Sequence, residues 1–345
     1  MSTFTFSRRQ FILSCLAGTF FSRAIDANAS INIFSSFSFA FISDCHLTSV
    51  RTDNYMLLQE SQLFLQDVIK QLNVLKPDFV LFGGDQTQGI GDNDANWQLF
   101  LDIVQGLECP WYFVLGETDV SGYPPVNKVG TFGRDWKGRG IESDSTYWSV
   151  EALPGIRLIG LDTSQAGSTI GNVDQAQLAW LEESLKKDDS LFTIVFSHHP
   201  LLEPQQLEGA QQYLLPQADM IRTILEKSQK KVISLSGHMH VNNIQWHNNI
   251  WYILSPSLDV YPCSFRLFKV LPEKIDVRTY QVNFPALVKK AKINLQNSNL
   301  AQSFGNNRSE NFVRLANGGR NDQNVILSLK KDGILEVQRS PAPIR

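Results

Sequence analysis

Val232-Ile233-Ser234-Leu235-Ser236-Gly237-His238-Met239-His240 is a mostly apolar run that stops on a glycine, with two histidines close behind. Its apolar, partly β-branched residues predict a buried strand that ends at Gly237. In an extended segment, side chains two apart point the same way, so His238 and His240 can reach one place just past the strand's C-terminal end. Two converging imidazoles suit a metal ion. Taken alone they also suit hydrogen bonding on a surface loop, so the endings of the other strands decide the matter.

Four more predicted strands end in the same manner. Phe37 to Ser43 leads into Asp44-Cys45-His46, and Phe79 to Phe82 into Gly83-Gly84-Asp85. Trp111 to Leu115 leads into Gly116-Glu117-Thr118-Asp119, and Phe192 to Phe196 into Ser197-His198-His199-Pro200. In α/β folds, sites form outside the carboxyl ends of the strands. Convergence there collects Asp44, His46, Asp85, Glu117, His198, His238 and His240. Mixed carboxylate and imidazole ligands suit first-row metals such as Mn, Fe or Zn. Seven ligands exceed what one ion needs, and a central carboxylate, Asp85, can bridge two. Two metals can share a hydroxide and clamp a phosphoryl group during in-line displacement.

Between these strands lie helical patterns. Asn54 to Leu75 carries apolar residues at helical spacing and is stopped by Lys76-Pro77; a second helix holds Trp97, Phe100, Leu101 and Val104. Asp174 caps a helix to Lys187, and another runs from Tyr213 to Glu226. Val120 to Ser145 has no period and is expected to be a long surface loop, in which Arg134, Trp136, Lys137 and Arg139 could meet an anionic substrate or form a solvated face. Strands are expected at Thr146 to Val150, Ile156 to Leu161, Trp251 to Ser255, Phe265 to Val270 and Lys274 to Val282, then a short helix near Pro285 to Leu295. Residues 296–324 are rich in Asn, Gly and Ser and are expected to be a linker or exposed flap. Val325 to Leu329 and Ile334 to Val337, around Lys331-Asp332-Gly333, predict a terminal hairpin.

The domain organisation follows: a leader at 1–29, a main domain at 30–295, and a linker with hairpin at 296–345. Ser7-Arg8-Arg9-Gln10-Phe11-Ile12 resembles a twin-arginine export signal, and Ala27-Asn28-Ala29 supplies a small-x-small cleavage site. The apolar stretch from Phe11 to Phe21 is too short to span a bilayer, so an exported, extracytoplasmic protein with no integral span is expected. The whole chain carries a formal net charge of −3, and removing Arg8, Arg9, Arg23 and Asp26 takes away +2 and leaves −5. That balance gives no basic field for nucleic acid. Cys45, Cys109 and Cys263 remain after the leader, an odd number that argues against a disulfide framework. His247, between Trp246 and Asn248, is taken as structural.

The order Asp-x-His, Gly-Gly-Asp, Gly-x-x-Asp, Val-x-x-His (Val195 to His198) and Gly-His-x-His is similar to that of the calcineurin-like metallophosphoesterases. The resemblance covers Phe37 to Val282 and implies a four-layer α/β/β/α sandwich around a dinuclear centre of two divalent or mixed-valence ions. It implies that Asp44, His46, Asp85 and His240 hold one ion, and that Asp85, Glu117, His198 and His238 hold the other. The substrate it implies is a small-molecule phosphate ester. The branch with class III cyclic-nucleotide phosphodiesterase-like proteins fits best; purple acid phosphatases place Tyr three residues after the bridging Asp, where this chain has Gln88.

The third motif departs from the family's Gly-Asn-His-Asp or Glu. Glu117 can still ligate, but as an anion: two divalent ions with Asp44, Asp85 and Glu117 leave +1, one unit less than with Asn. A less positive centre attracts a dianionic monoester less, so diesters are expected to be preferred. Thr118 replaces a histidine expected to assist the leaving group, and threonine does not titrate near neutral pH. Either the leaving groups are intrinsically good, or another residue substitutes. His199 is the nearest candidate in sequence, with a support role as its alternative; Asp119 either orients the loop or binds water. Two rivals stand beside the enzyme reading: a metal-binding pseudophosphoesterase acting in recognition, and a nuclease, which the acidic charge opposes.

Overall fold

The structure is a computed structural model that describes residues 34–50, 55–89, 93–121, 126–141, 144–204, 214–302, 308–330 and 334–338. The leader, Asn54, Tyr213 and the Lys331-Asp332-Gly333 turn lie outside the described residues.

In chain order the strands are β1 (Phe37–Ile42), β2 (Phe79–Phe82), β3 (Trp111–Phe113), β4 (Trp148–Leu153), β5 (Ile156–Gly160), β6 (Phe192–Ser197) and β7 (Val232–Ser236). They continue as β8 (Asn243–His247), β9 (Ile250–Leu254), β10 (Ser264–Leu271), β11 (Lys274–Gln281), β12 (Val325–Ser328) and β13 (Ile334–Val337). The helices are α1 (Ser61–Leu75), α2 (Asn93–Val104), α3 (Lys128–Lys137), α4 (Gln175–Lys187), α5 (Ala218–Lys227), α6 (Pro285–Asn297), α7 (Asn299–Gln302) and α8 (Arg308–Asn317).

Among the described residues the strands form two sheets, ordered β13-β12-β11-β10-β1-β2-β3 and β4-β5-β6-β7-β9-β8. Strands β1, β2 and β3 run parallel, as do β5, β6, β7 and β9. Parallel neighbours need long crossovers, and α1, α2, α4 and α5 supply them. Such strands are covered on both faces, which is why β1, β2, β6 and β7 read as mostly apolar runs, interrupted only by Ser and Thr.

The alternation along β1 and β6 builds the layers. The ring of Phe41 meets that of Phe196 edge-on at 6.5 Å, and Phe37 meets Phe192 at 5.9 Å, closing one sheet on the other. On the outer face of the first sheet, Phe82 packs on Phe100 of α2 at 5.0 Å. On the outer face of the second, Val195 and Ile159 cluster with Leu178 and Leu181 of α4 and Ile221 of α5. The result is the expected four-layer α/β/β/α sandwich. Helix boundaries follow local chemistry: Asp174 accepts a hydrogen bond from the Gln177 amide, and Lys76 closes α1 in the left-handed region.

Two stretches differ from expectation. The supposed loop from Val120 to Ser145 contains α3, capped by Asn127, with Phe132 and Trp136 buried; Trp136 stacks on Phe113 at 5.2 Å. Trp136 is therefore core and does not face a substrate, while Arg139 lies over the Trp111 ring. Gly130 and Gly133 lower the helix propensity that would have announced α3. The supposed linker at 296–324 holds α7 and α8. Ala301, Phe312, Val313 and Ala316 are buried there against Met239, Val241, Val260 and Leu295. Helices this short owe their stability to packing, so polar local composition hides them. The edge strand β8 was also unexpected; its alternation is blurred by Asn243 and Gln245. The hairpin forms as read, with β12 pairing to β11.

Candidate metal centre

The register sets the ends of the central strands side by side: Ile42 opposite Phe82, Phe82 opposite Phe113, and Ser197 opposite Ser236. Each then turns sharply. Asp44, His46, Asp85, His238 and His240 all have positive φ, between 46° and 65°. L-residues seldom adopt this left-handed region, and such residues concentrate where a site over-determines the backbone. The sharp bends let side chains near in sequence aim at one point. Backbone bonds hold the turns: the Asp44 amide donates to the Gly84 carbonyl at 3.0 Å, His46 to Asp85 at 2.9 Å, and Gly237 to His198 at 3.0 Å.

Two motif glycines are required by close approach. A Cβ on Gly116 would overlap the Asp85 carboxylate, and one on Gly84, itself at φ 96°, would overlap the His198 ring.

The seven side chains named from sequence come together. Asp85 Oδ2 stands 3.4 Å from His46 Nε2 and 3.5 Å from His198 Nε2, between two groups of ligand atoms. Asp44, His46 and His240 form one group, and Glu117, His198 and His238 the other. His240 Nε2 is 3.3 Å from Asp44 Oδ1, and His238 Nδ1 is 3.1 Å from Glu117 Oε1. Glu117 Oε2 and His198 Nε2 approach to 2.9 Å, yet each is buried and neither makes a well-directed hydrogen bond among the described residues. Buried polar atoms are normally paired, so this facing pair of donor atoms fits a cation between them.

Behind the ligand atoms lies a supporting layer that the motifs did not announce. His46 Nδ1 pairs with Asp259 Oδ1 at 3.0 Å, and Asp259 accepts from Ser257 Oγ at 2.7 Å. His198 Nδ1 donates to the Gly83 carbonyl at 2.9 Å, which leaves Nε2 facing the cluster. Carboxylate and carbonyl partners of this kind fix the tautomer and orientation of a ligating imidazole. The only sequence signal for Asp259 is its place in a loop following another parallel strand, β9.

The metal-free electrostatics carry the mark of crowded charge. Burial works to raise the Asp44 carboxyl, but the imidazoles of His240, His198 and His46 hold it below the ordinary range. Burial also disfavours protonated His198, yet Asp85 and Glu117 raise its pKa well above the usual imidazole value. Burial and the Asp85 charge push Asp119 up to about 7.

A profile of the calcineurin-like phosphoesterases matches residues 37–242, the span that carries all five strand-end motifs. The chain belongs to this family. As a calcineurin-like phosphoesterase it is a hydrolase of phosphoester bonds. It is 30% identical over 215 residues to a probable glycerophosphodiester phosphodiesterase of Arcobacter nitrofigilis, covering 61% of this chain and 74% of that one. It is 34% identical over 207 residues to a cAMP/cGMP dual specificity phosphodiesterase of Mycobacterium tuberculosis, covering 58% and 60%. These relatives support the class III branch. A dimetal phosphatase from Danio rerio shares the fold, with a TM-score of 0.57 at 15% identity over 70% of this chain and 95% of that one.

In this calcineurin-like phosphoesterase, two residues read from sequence as catalytic candidates stand behind the ligands. His199 is buried; its Nδ1 pairs with Thr163 Oγ1 at 2.9 Å, and its ring packs 4.3 Å from that of His238. Asp119 accepts from the amides of Thr87 at 2.8 Å and Gly116 at 2.9 Å, so it shapes the loop. Neither lines the cavity of about 390 Å³ that opens on His46, Asp85, Glu117, His238 and His240. Thr118 does line the cavity, but its hydroxyl donates to the Thr87 carbonyl at 2.5 Å. Among the described residues no Lys or Arg lines this cavity, and no helix is long and apolar enough to cross a membrane.

Proposed function

We propose that the chain is an exported, metal-dependent phosphodiesterase that cleaves one ester bond of a small phosphodiester. Asp44, His46, Asp85 and His240 would hold one divalent ion, and Asp85, Glu117, His198 and His238 a second, as Mn, Fe or Zn. When bound, such a pair supplies Lewis acidity at the phosphoryl oxygens and a hydroxide at neutral pH.

The observation that carries the diester preference is the charge of the cavity. Asp44, Asp85 and Glu117 offset three of the four positive charges of two divalent ions. Among the described residues no Lys or Arg adds to them in the lining. A monoester dianion brings one more negative charge than a diester and gains less here than beside an uncharged ligand. At an effective dielectric of about 20, one unit charge at 4 Å amounts to about 4 kcal/mol before screening.

The chain's own groups set further limits. Asp259 orients His46, and the Gly83 carbonyl orients His198. Thr118 has committed its hydroxyl proton to Thr87 and cannot serve as general acid, so esters of good leaving groups are favoured. The export proposal rests on Arg8-Arg9-Gln10-Phe11 and Ala27-Asn28-Ala29; cell fractionation finding the protein only in the cytoplasm, uncleaved, would remove it.

The test is a panel of aryl phosphate monoesters and diesters with purified protein loaded with Mn, Fe or Zn. Faster turnover of diesters is expected. Faster cleavage of the matching monoesters sinks the preference. The double change Glu117→Asn with Thr118→His separates an adapted enzyme from a pseudoenzyme. A large gain from a near-zero start would point to the latter.

A further inference from the structure

We infer that one ester arm of the substrate is a flat, uncharged aromatic group, seated against an apolar wall beside the ligand cluster. This rests on the phosphodiesterase reading. The wall consists of Tyr55, Met56, Met239, Val260, Leu300 and Phe312, and it shares one cavity with His46, His238 and His240. Leu300 belongs to α7 and Phe312 to α8, both beyond the span of residues 37–242 that carries the family's signature. Three of the six wall residues, Val260, Leu300 and Phe312, therefore lie outside the span that the family profile matches.

The wall is rooted. Phe312 and Met239 are 4% and 8% exposed and join Val241, Leu295 and Ala316 in a packed cluster. The wall disfavours a polyol, because hydroxyls are desolvated against Leu300 and Val260 without compensation; the hydroxyls of the lining are those of Tyr55, Thr118 and Thr169, and that of Thr118 already donates to Thr87. It also offers nothing to a charged arm, since no Lys or Arg lines it among the described residues. Two thioethers and two aromatic rings favour a π face: methionine sulfur makes favourable contacts with aromatic rings, and ring edges meet ring faces. The volume of about 390 Å³ lies toward the small end for ligand sites. It suits a phosphoryl group with one ring system.

The test uses diesters that share a 4-nitrophenolate leaving group, with methyl, 2,3-dihydroxypropyl, phenyl or naphthyl as the second arm. With the leaving group constant, differences report the arm. The metal-loaded protein should show kcat/KM rising by about tenfold or more from methyl to phenyl or naphthyl, mostly through KM. The dihydroxypropyl ester should be no better than the methyl ester. Independently of turnover, calorimetry with dimethylphosphinate and methyl(phenyl)phosphinate, monoanions that have no ester bond to cleave, should show tighter binding of the phenyl compound. Phe312→Ala and Leu300→Ala should each shrink that difference, with metal content and melting temperature showing that each variant is folded. Equal affinity for both phosphinates, or preference for the dihydroxypropyl arm, overturns the inference. Tighter phenyl binding without turnover of any diester supports the wall and removes the phosphodiesterase reading instead.

Discussion

Asp259 Oδ1 lies 3.0 Å from Nδ1 of His46, a partner 213 residues away in the sequence. Both side chains are buried, and the contact leaves His46 Nε2 facing Asp85. A carboxylate in this place fixes the imidazole's orientation and raises its basicity. Asp259→Asn is expected to weaken binding at one ion by about 10–100-fold while the fold is kept. Competition with a fluorescent chelator measures this, and unchanged affinity at both ions would falsify the assigned role.

Gly116 permits the third motif to pass over Asp85. Gly116→Ala forces a methyl group into the carboxylate and is expected to cost about 1–3 kcal/mol or more through overpacking. The effect should appear as a lowered urea midpoint in chelated protein as well, because the clash is with the protein itself. A variant as stable as the parent after chelation would show that the loop relaxes freely.

Metal removal should reverse the pH dependence of stability. In chelated protein, His198 is raised well above its unfolded pKa by Asp85 and Glu117 against the cost of burial. The stability it gives is present below about 6.5 and is lost as pH rises through the folded value. Asp119, pushed up to about 7 by burial and Asp85, works the same way between the ordinary carboxylate range and that value. His199, held well below the usual imidazole value by burial and by the neighbouring His238 and His198, works the opposite way below about 6.5, so chelated protein should show its net loss of stability from about pH 6.5 to 8. Loaded protein should gain over the same interval, because ligands must be deprotonated to bind. Thermal melts at several pH values, with and without chelator, check both slopes; parallel curves would contradict the assignment.

Arg266 joins the C-terminal segment to the second sheet. Its fully buried guanidinium donates to the Leu254 carbonyl at 2.8 Å and the Asp322 carbonyl at 2.8 Å. Arg266→Met leaves two carbonyls without this donor, and at about 1–3 kcal/mol each the loss should reach about 2–6 kcal/mol. Limited proteolysis should also quicken within 299–324. A cleavage pattern identical to the parent's would show that α8 is held independently.

The sandwich and the ligands were legible because one physical constraint writes both. A parallel strand covered on both faces is mostly apolar, with only small hydroxyl residues such as Ser38, Thr193 and Ser234 within it, and the carboxylates and imidazoles begin where it ends. Asp44, Asp85, His198 and His238 stand at those endings, so the periodicity that gave the strands also located the site. What supports the ligands was not legible. Asp259 acts through a contact across 213 residues, and nothing in its neighbourhood marks it. His199 sits next to a ligand in sequence, yet its ring lies outside the cavity, with Nδ1 tied to Thr163 Oγ1 and one face packed on the ring of His238. Helix α8 escaped for a related reason: Phe312 and Ala316 are held by tertiary packing, while Asn and Ser around them signal a linker.

The left-handed backbone at Asp44, His46, Asp85, His238 and His240 narrows which sequences can drift at these places before any chemistry is considered. Valine, isoleucine or threonine would be refused by sterics alone, while asparagine or glycine could be inherited without disturbing the turns. A descendant that lost its cations would therefore still carry an Asn or Gly at several of these corners, a fossil of the geometry outliving the reaction.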